Sequence, residues 1–127
     1  MDALIEAALQ ARQKAHAPFS GFLVGAALED AAGRIHTGCN VENATYGLTI
    51  CAERVAVFKA ISEGAREFRR IVVAADTETL TPPCGACRQI LWEFCGDIEV
   101  ALTNLHGKTE TMRLGDLFPR PFDASFL

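Results

Sequence analysis

Two short cysteine-bearing segments constrain this chain more than any other feature. The first, residues 49–54, reads Thr-Ile-Cys-Ala-Glu-Arg and contains Cys51. The second, residues 82–89, reads Pro-Pro-Cys-Gly-Ala-Cys-Arg-Gln and contains Cys84 and Cys87. Thiolates that converge from separate elements are suitable ligands for one soft metal ion such as zinc. The fold is therefore expected to bring the two segments together.

The spacing of these residues also predicts where two helices begin. Cys84 and Cys87 are three apart, about 60° around a helix, and can chelate one ion. Cys51 and Glu53 are two apart, about 200° around an ideal helix, so they can converge only at a helix start. We expect Thr49 to be the N-cap of that helix and the second cysteine pair to open another. Both segments would then lie at helix N-termini, where the macrodipole favours thiolates.

The ligand count bears on whether such a site is catalytic. Three protein ligands leave the fourth position of a tetrahedral zinc ion open for water, and a zinc deaminase adds a glutamate that is not a ligand. Glu53 fits that role. The alternatives are a closed structural site with Cys39 as fourth ligand, plain buried thiols, and an ordinary early-helix acid for Glu53. A closed site would leave the Glu53 carboxylate beside thiolates at an electrostatic cost and without a role.

Five blocks that span nearly the whole chain resemble the small homotetrameric cytidine deaminases: residues 22–27, 38–44, 46–49, 51–54 and 83–89. The resemblance implies a zinc-dependent enzyme of pyrimidine salvage, with one Zn²⁺ per chain, that converts cytidine and deoxycytidine to uridine and deoxyuridine and releases ammonia. In such an enzyme zinc hydroxide attacks C4 of the base while Glu53 carries the protons. It also implies a homotetramer whose pockets are shared between subunits.

The resemblance further assigns roles to single residues. Asn40 and Glu42, which point to one side in an extended segment, would hold the 3′-hydroxyl of the sugar; the alternative is a turn asparagine and a surface glutamate. Arg54 would hydrogen-bond the ligand sulfurs and offset their negative charge, unless it is a solvent-facing helix arginine. The other implied substrate-binding residues are Phe22, Ala52, Tyr46 and Phe122. The resemblance implies that Tyr46 and Phe122 serve a neighbouring subunit's pocket.

Two departures from the family pattern concern the edge of the pocket. Residues 16–20, His-Ala-Pro-Phe-Ser, stand where the family more often has tyrosines. Pro121 precedes Phe122 where a small residue is more usual.

Composition limits the remaining functions. With 127 residues and 13.7 kDa the chain is expected to form one domain, residues 1–127. Its 12 basic and 16 acidic residues give a net charge of −4, and no basic stripe favours a nucleic-acid partner. The acidic N-terminus and the lack of a long apolar run predict a cytoplasmic protein without a membrane partner. Cys39 and Cys95 are expected to be free thiols, and His16, His36 and His106 surface or turn residues.

Periodicity predicts helices over 3–15, 49–63 and 85–94 and strands over 22–29, 34–38, 70–75, 98–103 and 109–113. This order implies an α/β three-layer sandwich of the cytidine deaminase kind, with a five-stranded mixed sheet and helices on its faces. The apolar tail 118–127 is too short for a core of its own and is expected to pack on another surface.

Two rival functions stay open on the sequence. A deaminase of cytosine-containing antibiotics of the blasticidin kind would share the fold and the metal pattern, although Asn40 and Glu42 favour a nucleoside. A catalytically silent, zinc-stabilised binding module is the second rival, against which the intact Glu53 argues. Turnover of plain cytidine distinguishes both from a cytidine deaminase.

Overall fold

The computed structural model describes all residues from 1 to 127. Its elements, in chain order, are α1 (Asp2–Arg12), β1 (Val24–Asp30), β2 (Ile35–Cys39), α2 (Ala52–Ser62), β3 (Phe68–Ala75), α3 (Gly85–Cys95), β4 (Glu99–Thr103), β5 (Thr109–Arg113) and α4 (Leu114–Leu117). Two short 3₁₀ turns, Tyr46–Leu48 and Ala124–Phe126, complete the description. All five predicted strands and all three predicted helices are present, whereas α4 and the 3₁₀ turns were not predicted.

The strands form one mixed sheet in the order β2-β1-β3-β4-β5. β1 is antiparallel to both β2 and β3, β3 is parallel to β4, and β4 is antiparallel to β5. β3 lies at the centre, and its run Ile71–Ala75 is buried throughout, as an apolar strand covered on both faces must be. β5 is largely exposed, as befits an edge strand. The predicted five-stranded mixed sheet is confirmed.

Alternate side chains of the strands pack on opposite faces of the sheet. One face carries the larger core, where Leu28, Ile71 and Val100 pack against Val57 of α2 and Leu91 of α3. The other face is smaller and packs mainly against α1 through Leu4 and Ala8. Both cysteine-bearing helices, α2 and α3, therefore lie on the same side of the sheet.

A glycine in β2 sets how closely α2 can approach the sheet. A Cβ atom added at Gly38 would lie 2.4 Å from the carbonyl oxygen of Ala52 and 2.5 Å from the nitrogen of Ala56. Both are main-chain atoms of the first turns of α2, so they can recede only if the helix moves. The absence of a side chain at Gly38 thus sets the distance between the sheet and α2, the helix that carries Glu53.

The prediction that His36 lies on the surface or in a turn is wrong. His36 is in β2, on the same side as Gly38, and is buried beneath the C-terminal end of α2. Its Nε2 lies 2.9 Å from Asp30 Oδ2, and its Nδ1 lies 3.7 Å from Glu63 Oε1. The two-residue periodicity of β2 therefore places His36 on the face of the sheet that α2 covers. His16 and His106 are exposed, as predicted.

None of the helices combines the length and the apolar character that a membrane span requires.

Candidate active site

The three predicted thiol ligands lie at the starts of α2 and α3. Cys51 is the N-cap of α2 and Cys84 the N-cap of α3, both in extended conformation, and Cys87 follows in the first turn of α3. Neither N-cap thiol accepts a capping hydrogen bond, which leaves both sulfurs available. The predicted N-cap Thr49 is wrong. Thr49 instead ends the 3₁₀ turn Tyr46–Leu48 and donates its N–H to the Tyr46 carbonyl at 3.1 Å.

The three sulfurs lie within 4.8 Å of one another, close enough to hold one metal ion. Cys84 Sγ lies 3.4 Å from Cys87 Sγ and 3.8 Å from Cys51 Sγ. A tetrahedral zinc ion with Zn–S bonds of about 2.3 Å places its sulfur ligands about 3.8 Å apart. The group contains only these three cysteines, so a closed site with Cys39 as fourth ligand is not formed. The donor set fits a zinc ion that retains one open position.

The charge of the cluster favours a cation as well. Hydrogen bonding by Cys87, together with the nearby Arg54 guanidinium, lowers the pKa of the Cys51 thiol to about 5. The same hydrogen bond raises the pKa of Cys87 far above its ordinary value. The thiols therefore do not all ionise readily by themselves, and a divalent cation that displaces the remaining protons would stabilise the group.

Arg54 lies beside this cluster rather than in solvent. Its Nη2 donates to Cys51 Sγ and to the Thr49 carbonyl, each at 3.4 Å. The guanidinium thus links the Cys51 sulfur to the main chain just before α2. The contact agrees with the expected role in offsetting thiolate charge.

Glu53 lies in the first turn of α2, and only 4% of its surface is exposed. Burial raises the pKa of its carboxyl to about 7, and the charge of Cys51 acts in the same direction. A carboxyl with a pKa near neutrality can both accept and donate a proton at physiological pH. This combination of burial and a neighbouring charged cluster is typical of a catalytic acid–base group.

An inner cavity of about 170 Å³ adjoins the thiols. The predicted residues that line it are Phe22, Asn40, Cys51, Ala52, Glu53 and Cys84. Sequence reasoning missed five further lining residues, namely Val24, Thr49, Val73, Thr81 and Pro82. Thr81 directly precedes the second cysteine segment and Pro82 is the first residue of that segment, and this position was the only signal that could have found them.

Asn40 and Glu42 lie in neighbouring cavities rather than in one. Asn40 Oδ1 accepts from the N–H of Val24 at 2.9 Å, and its Nδ2 donates to the Phe22 carbonyl at 2.7 Å, beside the inner cavity. Glu42 lines an outer cavity of about 330 Å³ with Phe19, Ser20, Tyr46 and Thr49. Since Thr49 lines both spaces, the two cavities meet there.

The Glu42 carboxylate is held by the loop that precedes Phe22. Its Oε1 accepts from the N–H groups of Phe19 at 2.9 Å and of Ser20 at 3.1 Å, and its Oε2 accepts from the Ser20 hydroxyl. These hydrogen bonds, that of the hydroxyl foremost, lower the pKa of Glu42, so it is ionised at neutral pH.

Tyr46 and Phe122 are exposed aromatic side chains, 74% and 59% accessible. Tyr46 lies at the outer cavity, with its ring centroid 6.0 Å from that of Phe19. Phe122 stacks on Phe126 and lines none of the cavities of its own chain. The structure therefore does not bring Phe122 together with the other predicted site residues of its own chain.

Comparison with known families agrees with this geometry. Residues 1–102 match the family model described as "Cytidine and deoxycytidylate deaminase zinc-binding region". Fold and site thus define a zinc-binding deaminase domain.

Curated relatives and solved structures narrow this class. A cytidine deaminase of Sporosarcina psychrophila is 49% identical over 100% of this chain and 94% of its own length, and one of Halalkalibacterium halodurans is 51% identical over 95% and 92%. The crystal structure of cytidine deaminase from Burkholderia pseudomallei superposes with a TM-score of 0.92 at 50% identity, covering 95% of this chain and 98% of that one. The chain belongs to the cytidine deaminase family.

Proposed function

We propose that this protein hydrolyses cytidine and deoxycytidine to uridine and deoxyuridine and releases ammonia. The observation that carries the proposal is the placement of three cysteine sulfurs within 4.8 Å of one another at a cavity that also contains the buried Glu53. The relatives that match along nearly their full length, and that are named cytidine deaminase, support it.

Cys51, Cys84 and Cys87 would hold one zinc ion per chain. When bound, zinc supplies a Lewis acid that lowers the pKa of a water molecule toward neutrality. Arg54 would keep the thiolate-rich site from becoming too negative, since its guanidinium lies 3.4 Å from Cys51 Sγ.

Glu53 would move the protons of the reaction. It would accept a proton from the attacking water and pass it to N3 of the pyrimidine ring. It would then take the remaining proton of the hydroxyl group added at C4 and give it to the amine, so that the C4–N bond breaks, ammonia leaves and a C4 carbonyl remains. A pKa of about 7 suits a carboxyl that must take up and release a proton within one turnover.

The two cavities would divide the nucleoside between them. The inner cavity, with Phe22, Val24 and Val73 among its walls, suits a flat apolar-faced base. The outer cavity contains Glu42, and Asn40 keeps one amide hydrogen beyond its bond to the Phe22 carbonyl. Asn40 and Glu42 would together bind the 3′-hydroxyl near the junction of the cavities, and Ala52 would line the base site.

We further propose a homotetramer whose pockets are completed by neighbouring chains. Four exposed aromatic side chains, Phe19, Tyr46, Phe122 and Phe126, are between 52% and 74% accessible. A small chain rarely exposes so much apolar surface unless it is an interface. Tyr46 and Phe122 are the residues that we expect to serve a neighbour's pocket. Sedimentation at assay concentration tests this, and a fully active monomer would contradict it.

We place the enzyme, as the single domain 1–127, in cytoplasmic pyrimidine salvage. All five cysteines are unpaired, which suits a reducing compartment. The net charge of −4 supports a free nucleoside rather than a nucleic acid as substrate.

The two rival functions have less support. A blasticidin-S deaminase of Bacillus cereus is 29% identical over 76% of this chain, well below the cytidine deaminases at 49% and 51%. A silent binding module would have no use for a carboxyl that is 4% exposed beside the thiols.

The test is the loss of cytidine absorbance, extended to kcat/KM for deoxycytidine, 3′-deoxycytidine, cytosine and blasticidin S, with and without a strong chelator. We expect similar values for cytidine and deoxycytidine. Losses of up to about 10⁴-fold are expected for 3′-deoxycytidine and cytosine, because the hydrogen bonds that Asn40 and Glu42 would make with the 3′-hydroxyl are then lost. Blasticidin S turned over in place of cytidine would favour the antibiotic deaminase, and no turnover of any compound the binding module.

A further inference from the structure

The connection between β3 and α3 carries part of the active site but has little main-chain support. Residues 78–83 donate no hydrogen bond to another main-chain group, and two of them, Pro82 and Pro83, have no N–H to donate. An irregular segment of this kind is ordered only if other groups hold it.

The same connection forms a wall of the inner cavity. Thr81 and Pro82 line the cavity, and Cys84, one of the three clustered thiols, follows directly. A shift of the connection would therefore displace both a metal ligand and the surface that a base would contact.

Arg88 holds the end of the connection next to Cys84. Its Nε donates to the carbonyl of the buried Pro83 at 2.8 Å, and its Nη1 donates to the Leu117 carbonyl at 2.5 Å. Its main-chain N–H also donates to the Cys84 carbonyl at 2.9 Å. One side chain thus links the residue before Cys84 to the end of α4.

Asn104 holds the beginning of the connection. This residue is 5% exposed and lies in the β4–β5 turn, where its Oδ1 accepts from the N–H groups of His106 at 2.9 Å and Lys108 at 3.1 Å. Its Nδ2 donates to the Thr77 carbonyl at 3.1 Å. The Thr77 hydroxyl lies 2.8 Å from that of Thr81, so the contact continues to the cavity wall.

We propose that Arg88 and Asn104 are positioning residues that hold the two ends of the β3–α3 connection and thereby fix Cys84 and Thr81. The inference rests on the proposed function in that Cys84 binds zinc. Loss of the Arg88 guanidinium leaves the Pro83 carbonyl without its donor and frees the chain beside a ligand. Partners that orient a ligand from behind typically change metal affinity about 10–100-fold when removed.

The test measures zinc transfer from the zinc-loaded protein to a chromophoric chelator. Arg88→Met keeps the length of the side chain and removes its donors. The matched control is Arg66→Met, because Arg66 Nη1 also donates to two main-chain carbonyls, those of Ile61 and Ala65 at 2.8 Å, but at the far end of α2. We expect Arg88→Met to release zinc at least about 10-fold faster than the parent, and Arg66→Met to release it at the parent rate.

Asn104→Asp tests the other end and serves if Arg88→Met does not fold. The substitution keeps the acceptor for His106 and Lys108 and removes the donor to Thr77. We expect it to raise KM for cytidine more than it lowers kcat, because the wall at Thr81 shifts while Glu53 stays in place. Arg88→Lys, which retains one donor group, should give zinc release between the parent and Arg88→Met.

The outcomes separate this inference from the proposed function. A parent protein that binds no zinc would refute the proposed metal site itself. If the parent binds zinc, two results would overturn the positioning role alone. These are zinc release from Arg88→Met at the Arg66→Met rate, and an unchanged KM for cytidine in Asn104→Asp.

Discussion

Replacing Gly38 by alanine should push α2 away from the sheet and so displace Glu53, the proposed acid–base residue. Gly38 adopts ordinary strand geometry rather than a positive φ, so alanine brings no backbone strain of its own. Its Cβ would, however, lie 2.4 Å from the Ala52 carbonyl oxygen. The expected effect therefore comes only from a steric clash between β2 and the first turn of α2.

The size of the effect follows from these contacts. Ordinary van der Waals contact begins near 3.4 Å, so α2 would have to recede by about 1 Å. Overpacking of this kind typically costs about 1–3 kcal/mol in the free energy of unfolding. A displacement of about 1 Å in a catalytic group can lower the rate about 10²-fold. We therefore expect both losses in Gly38→Ala, and they should be of similar size, since a 10²-fold loss in kcat/KM corresponds to about 2.7 kcal/mol.

The assay is urea unfolding at fixed protein concentration, paired with kcat/KM for cytidine. Gly25→Ala is the matched control, since its Cβ would lie 2.1 Å from the Ala8 carbonyl oxygen of α1, a helix without predicted site residues. It should lower stability at least as much but leave kcat/KM of the folded protein nearer that of the parent. Gly47→Ala, which meets nothing within 4 Å, should change stability little. If Gly38→Ala had the stability and kcat/KM of the parent, the account of α2 placement would be refuted.

Three further variants test other parts of the site and fold. Cys84→Ala should lose the one equivalent of zinc that metal analysis finds in the parent, and full retention would refute the ligand assignment. Arg54→Ala should lower activity or zinc affinity about 10–100-fold, and an unchanged rate with unchanged chelator sensitivity would contradict the charge-offsetting role. The hydrogen bond from His36 lowers the pKa of Asp30 below 3.8, so the folded protein gains stability from its carboxylate above that pH and loses it as pH falls through the lower folded value. Asp30→Asn should therefore be less stable than the parent at neutral pH, with the difference closing below about pH 4 in acid unfolding curves; a pH-independent difference would contradict this.

The sequence predicted where α2 and α3 begin more accurately than it predicted the N-cap residue of α2. Cys51 and Cys84 both lie at helix N-termini, as predicted; for Cys51 the reason is that residues two apart, such as Cys51 and Glu53, can converge only at a helix start. The choice of Thr49 as N-cap failed because the 3₁₀ turn at Tyr46–Leu48 uses that residue to end its own hydrogen bonding. Thr49 and Cys51 are close in sequence, and cap propensity alone does not decide which of them is the N-cap of α2.

The walls of the site were less predictable than its chemistry. Thr81 and Pro82 line the cavity from a connection whose ends accept hydrogen bonds from distant side chains, Thr77 from Asn104 and Pro83 from Arg88. Likewise His36 is buried only because α2 ends above it. Such positions depend on tertiary contacts that no local pattern encodes, whereas ligand spacing is a local property.

Zinc content and cytidine turnover, measured on the same preparations of parent and Glu53→Gln, test the central claim most directly. The amide preserves the shape of the buried side chain but cannot accept a proton from water. We predict about one zinc per chain in both proteins and a loss of at least about 10²–10⁴-fold in turnover for the variant. A Glu53→Gln protein that binds zinc and deaminates cytidine within about tenfold of the parent rate would contradict the assignment of Glu53 as the proton carrier.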